Sequence, residues 1–134
     1  MQSTFGHLMI HIAISNISFY KDLFGFLGWR VICDEPDMLG VLDANKSSLW
    51  FGNLIKQVNN DYDGIGMNHL AISVPSQADV DTVVTWLADH KIACLFETPR
   101  HRPEFSGEGK TYYQVMFESP DRILLEVVYT GPKQ

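Results

Sequence analysis

Apolar and polar residues alternate in two short stretches that read alike, His7-Leu8-Met9-Ile10-His11-Ile12 and His69-Leu70-Ala71-Ile72-Ser73-Val74. Both follow the pattern His-Leu-x-Ile-x-aliphatic. A period of two is that of a strand with one buried face. Leu8, Ile10 and Ile12 therefore share one side, and His7, Met9 and His11 the other. In the second copy Leu70, Ile72 and Val74 separate in the same way from His69, Ala71 and Ser73. After each stretch the period lengthens to that of a helix. Phe19, Leu23, Phe26 and Leu27 form a stripe over residues 17–27, with Ser15 or Asn16 placed to cap it and Gly28 to end it. Val80, Val83, Val84 and Leu87 form the second stripe, after Ser76 with Asp79 three residues on, the pattern of a capped N-terminus. A strand-helix pattern written twice implies two copies of one supersecondary unit.

Further strands are expected at residues 29–33, 38–42 and 47–51, with a turn at 34–37. In the second half they are expected at 92–96, 112–117 and 123–129, with a loop over 97–110 and the turn Ser119-Pro120-Asp121-Arg122. Each half then reads β-α-β-β-β. The expected fold class is α+β, two βαβββ modules forming a curved mixed sheet around a cleft within a single domain. Module 1 spans about residues 5–53 and module 2 residues 67–130. Residues 54–66, with Asn59-Asn60-Asp61, Asp63-Gly64 and Gly66, form the linker.

Composition narrows the function classes. The chain has 134 residues, 46% of them hydrophobic, with eight Phe, five Tyr and three Trp, which is globular rather than disordered composition. Its apolar runs fall far short of the roughly 20 residues of a membrane span. A net charge of −6 without a run of Lys or Arg argues against nucleic acid or an anionic membrane as the main partner. The N-terminus shows no secretory pattern, so the cytoplasm is expected. Cys33 and Cys94 lie far apart and belong to no Cys-x-x-Cys motif, which argues against a disulfide framework or a zinc ribbon. Both are expected to be buried thiols.

Glu126 changes the picture. It lies between Leu125 and Val127 in an apolar strand, where a carboxylate is costly to bury unless it is paired or binds a cation. If the two units fold alike, Glu126 lies beside the strand of His69, and His7 occupies the matching strand of the other unit. Two imidazoles and one carboxylate suit a divalent ion such as Fe, Mn, Ni or Zn, with coordination positions left open. The plainer reading makes each histidine a satisfied polar residue and pairs Glu126 with Arg122 or Lys110. His11 shares the face of His7 and is an alternative ligand, a ligand's support or a substrate contact. His90 ends the second helix as a cation there or as an exposed side chain. The loop at 97–110 carries Arg100, His101 and Arg102 between Pro99 and Pro103. It reads either as solvated surface or as an anion-recognising lid, given the planar fork of Arg. Trp50, Phe51, Met9 and the tyrosines either pack in the core or line an apolar cleft.

Two longer stretches are more specific. Phe19-Tyr20-Lys21-Asp22-Leu23 leading to Leu27-Gly28-Trp29, and Phe117-Glu118-Ser119-Pro120-Asp121-Arg122-Ile123-Leu124-Leu125-Glu126, resemble the vicinal oxygen chelate superfamily. That group includes glyoxalase I, bleomycin resistance proteins, fosfomycin resistance enzymes and extradiol dioxygenases. The resemblance covers nearly the whole chain. Pro99-Arg100-His101-Arg102-Pro103-Glu104 with Tyr112-Tyr113 is also similar to small glyoxalase-like proteins. The resemblance implies metal ligands at His7, His69 and Glu126, the two-His, one-Glu set of the fosfomycin enzymes and extradiol dioxygenases. The acid that glyoxalase I carries in the last strand of its first unit has no counterpart in Ser47-Ser48-Leu49-Trp50-Phe51-Gly52. The first helix starts early and Arg122 stands where the turn commonly has Gly, so His11 stays open as the alternative to His7. The implied activity is metal-dependent chemistry on a small oxygenated substrate, by a lyase or isomerase, a dioxygenase or a resistance transferase. His11 is then the candidate base and Tyr112 or Tyr113 the proton donor. Trp50, Arg100, Arg102 and Tyr112 are the candidate substrate contacts. A homodimer is implied as well. The alternative is a non-catalytic protein that sequesters a drug or metabolite, as bleomycin-binding members do.

Overall fold

The computed structural model describes residues 1–53 and 56–134, so residues 54 and 55 of the expected linker lie outside the described residues. The chain divides into two compact units, Met1–Asn59 and Asn60–Gln134.

The first unit runs β1 (His7–Ile12), a 3-10 turn (Ile14–Asn16), α1 (Ile17–Phe26), β2 (Arg30–Glu35), β3 (Met38–Leu42) and β4 (Ser48–Asn53). Its sheet has the order β1-β4-β3-β2. β1 and β4 are parallel, which the crossover through α1 makes possible, and the other pairs are antiparallel hairpin neighbours. Ile10, Ile12, Leu49, Phe51, Leu39 and Val41 are buried on one face of this sheet. α1 covers them with Tyr20, Leu23 and Phe24. The rings of Tyr20 and Phe51 stack at 4.5 Å, and Phe24 packs on Phe51 at 5.3 Å. This corrects the expected stripe in α1: Phe26 is 40% exposed. A tyrosine ring takes the inward position that the helical spacing had assigned to phenylalanines. The expected side-chain cap is also absent, because the 3-10 turn precedes α1 and the Asn16 side chain does not cap it. Gly28 ends the helix as expected, at φ +83°.

The opposite face of this sheet carries His7, Met9 and His11, whose partners across the β1/β4 ladder are Ser48, Trp50 and Gly52. Gly40 belongs to this face, and a Cβ there would lie 2.9 Å from the Trp50 ring and 3.1 Å from the Cys33 Cβ. The missing side chain is what lets the indole lie over β3.

The second unit runs β5 (His69–Ser73), α2 (Gln77–Asp89), β6 (Leu95–His101), a 3-10 turn (Pro103–Phe105), β7 (Lys110–Glu118) and β8 (Leu124–Pro132). Its order is β5-β8-β7-β6, with β5 and β8 parallel. The two units thus share one topology, as the repeated strand implies. Val80, Val83 and Leu87 of α2 are buried, and Ile72, Val115, Phe117, Leu125 and Val127 supply the apolar sheet face. The cap on α2 forms as expected, the Ser76 Oγ accepting from the Asp79 amide at 3.1 Å. Ser76→Ala therefore lowers stability by about 1 kcal/mol, read as a shift in the urea midpoint; an unchanged midpoint would show that the cap contributes nothing.

The stretch expected to be one long loop is organised differently. β6 extends through Arg100 and His101, paired with Gln114 and Tyr113 of β7, and only residues 102–109 lie between the strands. Register shifts between Leu95 and Arg100, and Phe96 and Glu97 adopt φ of 55° and 58°. Left-handed residues of this kind cost about 1–2 kcal/mol each, and they push Phe96 out of the ladder, half exposed. Cys33 and Cys94 are half-buried rather than buried, and burial raises the pKa of the Cys94 thiol. Among the described residues no helix is long and apolar enough to cross a membrane.

Candidate functional site

Glu126 is the third residue of β8, opposite Ala71 of β5 and Met116 of β7. Alternation along β8 puts Leu125 and Val127 under α2 and leaves Glu126 on the other face. It is nevertheless only 1% exposed. The pairing with Arg122 or Lys110 does not occur. Instead Tyr112 donates its hydroxyl to Glu126 Oε1 at 2.6 Å, and His69 Nε2 stands 2.9 Å from Oε2. A buried carboxylate needs such partners, since an unpaired charge there is strongly destabilising.

His69 is held from its other side. Its Nδ1 lies 2.7 Å from Asn68 Oδ1, and the Asn68 amide donates to the Tyr62 carbonyl at 2.9 Å. Tyr62 is itself anchored, its hydroxyl donating to Glu118 and its ring lying 5.1 Å beneath the Arg122 guanidinium. Arg122 has φ 55°, a left-handed conformation that Gly adopts most readily.

These residues border a cavity of about 360 Å³ in the second unit, within the roughly 300–1,000 Å³ range of small-molecule sites. His69, Glu126 and Tyr112 line it together with Arg102, Phe96 and Phe105. Arg102 donates to Glu104 at 2.5 Å, and its guanidinium lies 4.7 Å above the Phe105 ring. Phe105 meets Tyr112 edge-on at 5.5 Å.

The structure separates several residues that the sequence grouped. Tyr112 and Tyr113 are strand neighbours and face opposite sides. Tyr113 donates to Asp81 of α2 at 2.7 Å, so it lies away from Glu126 and is corrected from proton donor to a tie between sheet and helix. Arg100 is held beside Glu97 at 3.3 Å and does not line the cavity, whereas Arg102 does. His101 sits on β6 with Nδ1 at 2.5 Å from the Thr111 hydroxyl. His90 caps α2, Nδ1 at 2.8 Å from the Trp86 carbonyl, with its ring stacked on the indole. Phe51 is core, fully buried under α1, rather than a wall of a cleft. In the first unit His7, His11 and Trp50 share the open sheet face. The register makes Trp50, opposite Met9, the counterpart of Glu126, opposite Ala71. The first unit therefore offers a ring where the second offers an acid.

Sequence reasoning missed Asn68, Tyr62, Phe96 and Phe105. Asn68 was open to detection as the polar residue preceding a candidate ligand, whereas Phe96 enters the site through a backbone conformation that no glycine announces.

Burial, followed by the hydrogen bond to Glu126, raises the Tyr112 phenol above its ordinary pKa of 10.0. Burial and the bond to Asp81 push Tyr113 up to about 12. In both cases the fold favours the protonated form. This stabilisation is complete below pH about 10, where the unfolded phenols are also protonated, and is lost as pH rises from there through the folded values. Urea midpoints are expected to fall from pH 10 upward, and to fall less in Tyr112→Phe/Tyr113→Phe; parallel curves for the two proteins would contradict this.

The donor set also fits a divalent metal. The Tyr62 carbonyl can only accept, so the Asn68 amide nitrogen faces it and the amide oxygen faces His69. Nδ1 must then carry a proton, and Nε2 is the nitrogen turned to Glu126 Oε2, a 2.9 Å contact that holds either a proton or a bound cation between the two atoms. An outward-facing imidazole nitrogen beside a buried carboxylate, with the far nitrogen tied to an oxygen acceptor, is the usual ligand arrangement in metalloproteins. Among the described residues no three His, Cys, Asp or Glu side chains are gathered as a ligand group; His69 and Glu126 form a pair.

The same architecture occurs in solved structures. A glyoxalase-like protein from Bacillus halodurans superposes with a TM-score of 0.80 at 25% identity, covering 96% of each chain. The chain has the vicinal oxygen chelate fold. A glyoxalase/dioxygenase from Nostoc punctiforme superposes with a TM-score of 0.74 at 16% identity, covering 96% of this chain and 91% of its own. The fosfomycin resistance protein FosX from Listeria monocytogenes, whose structure holds Mn(II) and sulfate, superposes with a TM-score of 0.68 at 16% identity, covering 96% and 91%. No family model matches the sequence, and no curated protein matches it.

Proposed function

We propose that this vicinal oxygen chelate protein is a divalent-metal-dependent enzyme acting on a small substrate with two adjacent oxygens. The observation that carries the reading is the His69–Glu126 pair, 2.9 Å apart at the edge of a cavity with the carboxylate almost wholly buried. His69 and Glu126 supply two donors, and His7, first residue of the matching strand, is proposed as the third, with His11 as the alternative. Fe, Mn, Ni and Zn all suit this mixed nitrogen and oxygen set. When bound, such an ion supplies Lewis acidity toward the substrate oxygens.

The side chains do the remainder. Tyr112 holds Oε1 of Glu126 and so fixes which carboxylate oxygen faces His69. Arg102 presents a guanidinium to an anionic part of the substrate, and Phe105 beneath it packs against apolar carbon. His11 is the proposed base, and Trp50 the proposed substrate contact from the first unit. The reaction is of the lyase, isomerase, dioxygenase or resistance-transferase type, in a cytoplasmic homodimer.

A second reading is favoured by Phe96 and Phe105, both half exposed on the cavity wall. Such walls suit non-catalytic sequestration of an apolar drug or metabolite, of the bleomycin-resistance kind. One screen separates the two. Diketones, hemithioacetals, catechols and fosfomycin-like epoxides are offered to protein with added Mn, Fe, Ni or Zn and to chelator-treated protein. Turnover that chelator abolishes upholds the enzyme; ligand binding that chelator leaves intact, without turnover of any compound, upholds sequestration.

A further inference from the structure

We infer that Asn68 is a positioning residue that holds a proton of His69 on Nδ1 and thereby leaves Nε2, facing Glu126, as the nitrogen open to a cation; this rests on the proposed metal role of His69. The chain of contacts is short and each link has one allowed direction. The Tyr62 carbonyl has no proton to give, so it takes one from the Asn68 amide at 2.9 Å. The Asn68 oxygen then meets His69 Nδ1 at 2.7 Å, and only a protonated Nδ1 makes that contact attractive. Without this acceptor the ring is held only through Nε2 by Glu126, and nothing keeps a proton on Nδ1. With Asn68 at Nδ1 and Glu126 at Nε2 the ring plane is set before any ligand arrives, and a cation displaces only the proton between Nε2 and Glu126.

The anchor is itself secured by residues remote from the cavity chemistry. The Tyr62 hydroxyl is bound by Glu118, its ring lies under Arg122, and Asn60 donates to the Arg122 carbonyl at 2.8 Å. The segment ahead of β5 is thus strapped to the β7–β8 turn, and the strap ends on Asn68. The motif Asn-His at the start of a strand is therefore an orienter followed by its ligand.

Nitrogen-15 imidazole spectra of the parent, Asn68→Ala and Asn68→Asp, with His69 identified by its loss in His69→Gln, test the inference without turnover. In the metal-free parent the His69 Nδ1 is expected to carry a proton protected from exchange. Asn68→Ala is expected to lose that signal. Asn68→Asp, which restores an acceptor to Nδ1 while giving up the donor to Tyr62, is expected to keep it. Zn(II) affinity, measured by competition with a chelating dye, is expected to fall about 10–100-fold in Asn68→Ala and to stay near the parent value in Asn68→Asp, with zinc bound through Nε2. An unprotonated Nδ1 in the parent, zinc held through Nδ1, or an alanine variant that keeps both the signal and the affinity would overturn the inference. If Asn68→Ala does not fold, the parent and aspartate spectra decide. A parent that takes up no zinc removes the metal role, while a protected Nδ1 proton that depends on Asn68 still upholds the positioning.

Discussion

Replacing Glu126 with glutamine is expected to weaken metal binding by more than about 100-fold, beyond what the loss of an outer partner costs, while leaving the fold largely intact. Two costs oppose each other at this position. Glu126 is 1% exposed, and a buried carboxylate carries a desolvation penalty of several kcal/mol that its partners only offset. Glutamine keeps the volume, still accepts from Tyr112, and carries no charge to desolvate. Its neutral amide is a poor ligand for a hard divalent ion. Unfolding free energy is therefore expected to change by no more than about 1–2 kcal/mol, with metal affinity nearly abolished. A variant that binds metal like the parent would remove Glu126 from the ligand set. One that cannot fold would make the His69–Glu126–Tyr112 group structural rather than functional.

Phe51→Ala is expected to have the largest effect on stability, about 3–5 kcal/mol. Phe51 is fully buried, with the Tyr20 ring stacked at 4.5 Å and Phe24 at 5.3 Å. Truncation leaves a void bounded by two large rings on α1, and rings held in one rotamer by a helix cannot collapse into it without moving the helix. Phe26→Ala, at a 40% exposed position on the same helix, is expected to stay within about 0.5 kcal/mol. Urea unfolding of both variants checks the contrast. Equal losses would show that α1 packs through the Phe19 and Phe26 stripe after all.

The topology was legible because strands and helices leave different periods. His-Leu-x-Ile-x-aliphatic announces the same strand twice, and β1 and β5 indeed begin at His7 and His69. The cap on α2 was legible because Ser76 and Asp79 act within one turn. Glu126 stood out because charge is costly in an apolar strand, yet its partners came from elsewhere in the chain, and separation along the sequence hides them. Tyr112 and Tyr113 show the limit of local reading. Adjacent residues in a strand must diverge, but which one meets Glu126 depends on register with β8, where Tyr112 pairs with Thr130 and Met116 with Glu126. The stretch carrying Arg100 and His101 read as loop because Pro99 and Pro103 suggest breaks in pairing. The strand tolerates Pro99 because β6 is an edge, where a missing amide donor need not cost a ladder bond. The inward face of α1 was ambiguous because Tyr20, Leu23 and Phe24 satisfy the helical spacing as well as Phe19, Leu23 and Phe26 do, and only the packing on Phe51 decides between them.

Metal content tests the central claim most directly. Protein purified without an affinity tag, measured by elemental analysis beside His69→Ala and Glu126→Ala, is expected to hold about one equivalent of a transition metal in the parent and far less in both variants. A parent that carries no metal and takes up no added Mn, Fe, Ni or Zn would contradict the metal-dependent account and leave the cavity lined by Phe96 and Phe105 as a binding pocket for apolar molecules.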